Sequence, residues 1–371
     1  MVRKKASENT LIDPDVLDEP EIYQVLDYDG NLIGQVPSLS EDKLQKMYET
    51  MLLIRLLDER MMILQRQGRI GFYGACTGQE ATPIATAAAL EDRDWIFPAL
   101  REGAAMLYRD FPLETYICQV YGNSGDVTKG RQMPSHQASR TVNQVSWGSC
   151  IGSQIPQAMG AAWAAKLRKD DVVTVGFMGD GATSEGDFHN ALNFAGVYKA
   201  PCILICQNNH WSISIPTHRQ TRSRTIAEKA VAYGLPYARV DGNDILASYA
   251  AIKEAADRAR AGEGATFLEL VTYRIGAHSS SDDPRVYRDE SEVEEWKKRD
   301  PLARFNRFMM TSGYWSKDQE EATRARLDQE ILAAVKQAEA RPAPAEKSLI
   351  EDVYAKVPKS LQEQFDEWGG A

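Results

Sequence analysis

The chain has 371 residues, of which 43% are hydrophobic and 26% are charged, and its net charge is −10. This composition is typical of a globular protein with a sizeable core, and the length suits one large domain or two small ones. The acidic balance gives no general support for binding nucleic acid or an anionic membrane surface. No apolar run approaches the roughly 20 residues of a membrane-spanning helix, so we expect no membrane partner.

The cysteines and the N-terminus bear on the compartment. Five cysteines, an odd number with no Cys-x-x-Cys pair, argue against a zinc knuckle or a disulfide framework. Reduced thiols in a cytoplasm-like compartment are the preferred interpretation. Residues 1–10 contain basic residues but no apolar segment, which is not a secretory signal. We therefore expect a cytoplasmic protein, or a protein of the mitochondrial matrix if the source is eukaryotic.

Residues 1–37 are predicted to form an N-terminal arm that lies on a neighbouring surface. Within it, Asp29-Gly30-Asn31 stands between short apolar segments and predicts a hairpin turn. The first strong helix should begin near Ser40 and end at Gly68. Its apolar residues recur at helical spacing, which favours core packing over a cofactor wall. They are Leu44, Met47, Met51, Ile54, Leu57, Met61 and Leu64.

From residue 155 onward, helical and extended patterns alternate. Residues 155–167 are rich in Ala and Gly, and 172–178 and 202–206 are short, nearly continuous apolar runs with a helical face between them. Strand, helix and strand at this spacing predict a βαβ unit, hence a parallel sheet with a right-handed crossover. Further strands are expected over 237–240 and 266–272, with a helix over 245–261.

This alternation predicts an α/β fold, a parallel central sheet with helices on both faces. We assign that domain to residues 38–291. Residues 292–371 are charged and helical in pattern, interrupted by Pro342 and Pro344, and are predicted to form a C-terminal helical extension.

Two polar groups follow the two strongest strands, at the edge where parallel sheets bind ligands. Gly179-Asp180-Gly181 follows the first strand, and Asn208-Asn209 follows the second. Adjacent strands would bring Asp180 and Asn209 together. A carboxylate, a carboxamide and nearby carbonyls suit an octahedral magnesium ion that keeps sites for phosphate oxygens. Free N–H groups at the next helix would hold a diphosphate. A lone Gly-Asp-Gly is often only a turn, but both halves together favour a site.

These two segments resemble the signature of thiamine-diphosphate enzymes. Over most of the chain, the resemblance extends to alpha subunits of 2-oxoacid dehydrogenases, the decarboxylating first component of those complexes, and the branched-chain type is the most similar. It implies the thiamine-diphosphate-binding fold, and oxidative decarboxylation of a branched 2-oxo acid such as 3-methyl-2-oxobutanoate with acyl transfer to a lipoyl group. The segments that carry it are 66–70 with 72–73, 130–134 with His136, 154–157, 240–244, and 273–276 with 278–283 and 287–288.

The resemblance also implies roles for individual residues around magnesium and the diphosphate. The magnesium ligands would be Asp180, Asn209 and the carbonyl of Trp211. Arg101 would pair with the diphosphate, because a guanidinium fork suits phosphate oxygens. Two backbone N–H groups would contact the same diphosphate, those of Gly181 and Ala182.

A second set of implied residues surrounds the organic part of the cofactor and the substrate. Ser149 and Ile151 would meet the aminopyrimidine through the main chain. His278 would lie over the thiazolium as an acid or hydrogen-bond donor. A loop histidine is more often structural, but a polar Ser/Asp loop after a predicted strand favours the functional interpretation. Phe72 and Leu100 would line the substrate pocket.

Five positions depart from the family pattern or leave a question open. Trp211 and Leu100 each stand where a Tyr is usual, which puts one substrate contact in doubt at Leu100. Gln207 replaces an Arg of some relatives. Cys150 stands where a Pro is usual in a potassium-binding loop, so bound potassium stays an open alternative. Ser279 matches a regulatory phosphoserine, and we prefer an unmodified serine.

The resemblance finally implies partners. Thiamine diphosphate needs a carboxylate on its aminopyrimidine, and this chain has room for the diphosphate-binding domain and its flanks only. A beta subunit in an α2β2 assembly would supply that Glu, and a lipoyl domain of the acyltransferase component would accept the acyl group. We expect the chain alone to be inactive. A pyruvate or acetoin dehydrogenase alpha subunit is the alternative within the family. A non-catalytic magnesium-nucleotide-binding subunit is the alternative outside it, although no Gly-x-x-x-x-Gly-Lys-Ser/Thr loop is present.

Overall fold

The computed structural model describes residues 21–368, so the first 20 residues of the predicted arm and the last three of the predicted extension lie outside it. The strands are β1 (Ile22–Tyr23), β2 (Trp95–Phe97), β3 (Thr174–Gly179), β4 (Cys202–Asn208), β5 (Trp211–Ser212), β6 (Ile215–Pro216), β7 (Tyr237–Asp241) and β8 (Thr266–Val271). Six of them form one sheet in the order β1-β7-β8-β4-β3-β2, and all of its pairings are parallel. The predicted α/β fold is confirmed.

Helices cover both faces of this sheet. Along β3 and β4, alternate side chains enter two different cores: Val175 and Ile203 face one, whereas Met178 and Leu204 face the other. Burial on both faces explains why the central residues of these strands form apolar runs instead of alternating with polar residues. The helices are α1 (Glu41–Arg66), α2 (Ala81–Ala89), α3 (Gly103–Tyr108), α4 (Leu113–Tyr121), α5 (Gln154–Arg168), α6 (Gly186–Tyr198), α7 (Ile245–Arg260), α8 (Glu290–Lys297), α9 (Pro301–Thr311), α10 (Lys317–Glu339), α11 (Ser348–Glu351) and α12 (Lys359–Glu367).

Helix α1 follows its sequence signals closely. The hydroxyl of Ser40 accepts a hydrogen bond from the backbone N–H of Lys43 at 3.3 Å and caps the first turn. Gly68 adopts φ +71°, a left-handed conformation that glycine tolerates, just beyond the last turn. All seven apolar residues of the predicted stripe are buried. The stripe therefore belongs to the core and not to a cofactor wall.

The described part of the arm does more than lie on a neighbouring surface. The predicted hairpin turn is present, with an antiparallel bridge between Leu26 and Leu32 and Gly30 at φ +83°. Before it, β1 pairs with β7 and becomes the edge strand of the central sheet. The C-terminal helices share the core of α1, to which they contribute Phe305 and Ile331 among others. The division at residues 38 and 291 stays a prediction.

Two further observations concern the helices and the cysteines. Within residues 21–368, none of the helices is long and apolar enough to cross a membrane. All five cysteines are free thiols, four of them buried, and Cys150 is exposed.

Candidate cofactor and metal site

A cavity of about 340 Å³ opens at the carboxyl ends of β3 and β4. The two strands are paired in register, with Gly179 opposite Gln207, so the chain leaves both at the same edge of the sheet. The residues that follow therefore face one space. All eleven residues predicted for the site line it: Phe72, Leu100, Arg101, Ser149, Ile151, Asp180, Gly181, Ala182, Asn209, Trp211 and His278.

Asp180 stands directly after β3 and begins a 3-10 turn that runs to Ser184, ahead of helix α6. The helix itself begins only after this turn, at Gly186. The carboxylate is 3% exposed, and its Oδ2 accepts hydrogen bonds from Gln220 Nε2 at 2.6 Å and Thr217 Oγ1 at 3.1 Å. Burial raises the pKa of Asp180, and these two hydrogen bonds act in the opposite direction. A cation at this carboxylate would supply further stabilisation of the charged form.

Asn209 and Trp211 provide neutral oxygens beside this carboxylate. Asn209 Oδ1 accepts a hydrogen bond from the Trp211 N–H at 3.2 Å, and the Trp211 carbonyl accepts one from Arg274 at 3.4 Å. Within residues 21–368 there is no cluster of three His, Cys, Asp or Glu side chains that could hold a metal. One carboxylate with neutral oxygen donors suits a hard cation that takes its remaining ligands from a phosphate. It does not suit a transition metal.

Gly181 allows a loop to close over this part of the cavity. An ideal Cβ at this position would stand 2.2 Å from Ser212 Oγ and 3.0 Å from Gln220 Oε1. Any side chain would therefore push the loop of residues 212–220 away from Asp180. Glycine leaves the backbone N–H groups of Gly181 and Ala182 close to the space that a ligand would occupy.

Arg101 is a buried cation whose partners are all neutral. It is 6% exposed and donates hydrogen bonds to the carbonyls of Ala75 and His278, the latter at 2.7 Å. Among residues 21–368, no carboxylate accepts a hydrogen bond from it. Burial, and to a smaller extent the charge of Arg274, lower its pKa to about 10. The charges of Asp58 and Glu102 raise the Arg101 pKa in the opposite direction, but neither carboxylate hydrogen-bonds the guanidinium. A buried charge without a directly paired counter-ion is costly, so the site fits an anionic ligand.

His278 lies beside Arg101 in the loop after β8. Its backbone N–H donates to Asp282 Oδ2 at 2.7 Å, and its carbonyl holds the Arg101 guanidinium. Burial lowers the pKa of His278 to about 4, helped by the positive charges of Arg101 and Arg274. The ring is therefore neutral near pH 7, which makes it a hydrogen-bond donor and not a standing cation.

Sequence reasoning missed several residues of the cavity wall. Gln79 is 1% exposed and hydrogen-bonds Asn209, but only its place before the Ala-rich helix α2 distinguishes it in sequence. Trp147 carries no motif and becomes recognisable only through the stack of its ring on His136, with ring centroids 3.6 Å apart. Ile213 adopts φ +51° in the loop that covers Gly181. Gln79 and Asn209 are 130 residues apart, so their contact could not be found from the sequence.

The known proteins that are similar to this chain are alpha subunits of dehydrogenases. A family model described as "Dehydrogenase E1 component" matches residues 48–347. The chain is 42% identical to the mitochondrial 2-oxoisovalerate dehydrogenase subunit alpha of Homo sapiens over 356 residues, which is 95% of this chain and 80% of that protein. It is 43% identical to subunit alpha 2 of Arabidopsis thaliana over 345 residues, 92% of this chain and 73% of that one. The pyruvate dehydrogenase E1 component subunit alpha of Staphylococcus aureus is 42% identical over 349 residues, 93% of this chain and 92% of that protein.

Proposed function

Because the chain belongs to the dehydrogenase E1 component family, we propose that it is the alpha subunit of a branched-chain 2-oxoacid dehydrogenase. The reaction is the thiamine-diphosphate-dependent oxidative decarboxylation of a branched 2-oxo acid, such as 3-methyl-2-oxobutanoate, with acyl transfer to a lipoyl group. The observation that carries the proposal is one cavity lined by a carboxylate with neutral oxygen donors and by a buried arginine without an acidic hydrogen-bond partner.

We propose that magnesium binds to Asp180, Asn209 and the carbonyl of Trp211. The diphosphate would then accept hydrogen bonds from Arg101 and from the backbone N–H groups of the turn at 181–182. When bound, thiamine diphosphate supplies the nucleophilic carbon and the electron sink that decarboxylation of a 2-oxo acid requires. The chain's own contribution is to hold the charged end of the cofactor rigidly.

His278 is proposed to act on the substrate side of the same cavity. The hydrogen bond from Arg101 to its carbonyl fixes the backbone of His278 at the proposed phosphate site. Its neutral ring can donate a hydrogen bond to the substrate or to the lipoyl acceptor without bringing a second positive charge beside Arg101.

The substrate pocket is proposed to include Phe72 and Leu100, which both line the cavity. An ideal Cβ at Gly74 would stand 3.3 Å from Leu100 Cδ1, so the leucine packs on a backbone that has no side chain. An apolar wall suits a branched aliphatic chain.

The pyruvate dehydrogenase relative is as similar to this chain as the branched-chain relatives are. Steady-state rates of the reconstituted α2β2 tetramer with 3-methyl-2-oxobutanoate and with pyruvate separate the two substrates, and a faster reaction with pyruvate contradicts our assignment.

We propose that a beta subunit covers the mouth of the cavity in an α2β2 tetramer and supplies the carboxylate that activates the cofactor. Large apolar side chains around this mouth support a covering partner: Met133, Ile151 and Ile213 are 57%, 55% and 47% exposed. The isolated chain should be inactive, and turnover should appear when beta is added. Equal rates with and without beta would contradict this. The lipoyl domain of the acyltransferase component is the proposed acceptor.

Calorimetry of the tetramer with thiamine diphosphate and with ATP, each with magnesium, tests the cofactor directly. We expect binding of thiamine diphosphate only. Asp180→Ala should abolish magnesium-dependent binding of the cofactor, because the remaining donors are neutral. Binding of ATP without binding of thiamine diphosphate would support the nucleotide-binding alternative instead. Exchanging potassium for sodium in the same titration tests whether potassium binds at the loop that contains Cys150.

A further inference from the structure

Gln79 is a buried residue of the cavity that the proposed function does not use. Its side-chain oxygen accepts hydrogen bonds from two amide groups, Asn209 Nδ2 at 2.9 Å and Gln207 Nε2 at 3.0 Å. The preceding residue, Gly78, has φ +92°, and a Cβ there would stand 2.6 Å from Ile275 Cγ1 and 2.7 Å from the Tyr273 carbonyl oxygen. The backbone that carries Gln79 is therefore wedged against the segment that follows β8.

The contact with Gln79 determines which atom Asn209 presents to the cavity. A carboxamide has an oxygen and a nitrogen of similar size, but only the oxygen can bind a cation. Because the Gln79 oxygen takes the Nδ2–H of Asn209, Oδ1 is turned to the opposite side, where it accepts from the Trp211 N–H and keeps a second lone pair. A flipped Asn209 would place two oxygens against each other and a nitrogen toward the cation.

Gln207 supports the same orientation of Gln79. Two amide donors converge on the one Gln79 oxygen, so a flipped Gln79 would bring its own N–H₂ group against both of them. The alternative hydrogen-bonding atoms, Gln79 Nε2 and Gln207 Oε1, are buried and have no hydrogen-bond partner among the described residues. The arrangement thus retains one orientation of Gln79 even though that orientation leaves two polar atoms unsatisfied.

We propose that Gln79 is a positioning residue for the metal site, which holds the Asn209 carboxamide with its oxygen toward the cation. This inference rests on the proposed magnesium and thiamine-diphosphate site and adds a residue outside the ligand set. Partners of this kind, which orient a ligand without touching the metal, typically affect metal affinity tenfold to a hundredfold.

Calorimetric titration of the α2β2 tetramer with thiamine diphosphate and magnesium tests the proposal. Gln79→Met keeps the size of the side chain and removes the acceptor, so Kd should rise about tenfold to a hundredfold. Gln79→Glu keeps an acceptor at the same reach and should retain most of the affinity. Gln119→Met is the matched control, because Gln119 is 3% exposed, donates to the Ala138 carbonyl at 2.8 Å and does not line the cavity. Its Kd should not change.

A double-mutant cycle with Asn209→Asp separates positioning from a general structural role. Aspartate has two oxygens and needs no orientation, so Gln79→Met should change Kd by no more than about twofold in that background. An equal loss in both backgrounds, or no loss in either, would overturn the proposal. If the wild-type tetramer itself fails to bind thiamine diphosphate with magnesium, the proposed function fails first, and this inference fails with it. Thermal melts identify variants that have not folded. If Gln79→Met is one of them, Gln79→Glu tests the proposal, and a large loss of affinity in that folded variant would overturn it.

Discussion

Two buried arginines of this protein have opposite surroundings. Arg304, on α9, is fully buried, lies 2.8 Å from Asp241 and 3.6 Å from Asp244, and also donates to the Leu26 carbonyl. Arg101 is almost as deeply buried, yet within residues 21–368 it donates only to carbonyl oxygens. One cation is paired with two carboxylates of the chain. The other lines a cavity, and no carboxylate of the described residues is hydrogen-bonded to it.

The difference distinguishes a buried charge that stabilises the fold, that of Arg304, from one that is available to bind a ligand, that of Arg101. Asp244 also accepts hydrogen bonds from the N–H groups of Val25 and Leu26 and caps helix α7. Its pair with Arg304 therefore joins the arm, the end of β7 and two helices in one buried network. A charge that is not neutralised by the protein, in contrast, leaves part of its stabilisation for a ligand to supply.

The largest effect is expected when Arg304 is changed to Met. Two carboxylates would stay buried without their cation, and breaking such a pair typically costs about 3–5 kcal/mol. Chemical denaturation should show this loss in the free energy of unfolding. Arg307→Met on the same helix is the control, since Arg307 is exposed and, among the residues that the structure describes, donates only to the carbonyls of Tyr28 and Asp29. It should cost less than about 1 kcal/mol. Similar losses in both variants would contradict the stabilising role of the Arg304 ion pairs.

His278→Ala should leave cofactor binding within about twofold and lower kcat about a hundredfold or more, the usual contribution of a positioned proton donor. The reason is that the backbone carbonyl of His278, which holds Arg101, is retained when the ring is removed. Titration calorimetry and steady-state rates of the tetramer measure the two effects separately. His189→Ala, at an exposed histidine that hydrogen-bonds Tyr233, should change neither. Lost binding in His278→Ala would mean that the ring belongs to the cofactor site itself.

Arg101→Met tests the second arginine of this comparison, which we expect to affect ligand binding more than stability. Hydrogen bonds to charged groups contribute about 1.5–3 kcal/mol, so Kd for thiamine diphosphate should rise tenfold to about a hundredfold. The free energy of unfolding without cofactor should stay within about 1 kcal/mol of the wild type, because no buried carboxylate loses its hydrogen-bond donor. Arg109→Met is matched to it, since within the described part of the chain Arg109 also donates only to carbonyls but does not line the cavity. A large loss of stability in Arg101→Met would contradict this assignment.

The smallest effect concerns His210, a second histidine with a pKa lowered to about 4, chiefly by burial. Its folded pKa lies below the unfolded value of about 6.5, so its contribution to stability is present above pH 6.5 and is lost as pH falls. The variant His210→Asn suits the left-handed φ of +69°. Relative to it, the wild type should lose about 1 kcal/mol per pH unit between pH 6.5 and 4. A constant difference in unfolding free energy over that range would contradict the assignment.

The sequence alone was sufficient for features that depend on neighbours along the chain. Helix α1 has its cap, its apolar stripe and its terminating glycine within one continuous segment. Strands β3 and β4 are apolar over most of their length, and the helical crossover between them predicts parallel pairing. That pairing brings Asp180 and Asn209 to one edge of the sheet, so the two halves of the proposed metal site could be located without coordinates.

Tertiary structure decided the features that depend on distant partners. Strand β1 has two residues and β2 has three, too few to show a periodicity, so only pairing to a finished sheet makes them strands. The role proposed for Gln79 depends on two amides about 130 residues away. Arg101 and Arg304 look alike in the sequence, because burial and counter-ions belong to the folded packing. A local pattern specifies which segments form the elements, whereas the neutralisation of a buried charge is settled only where the elements meet.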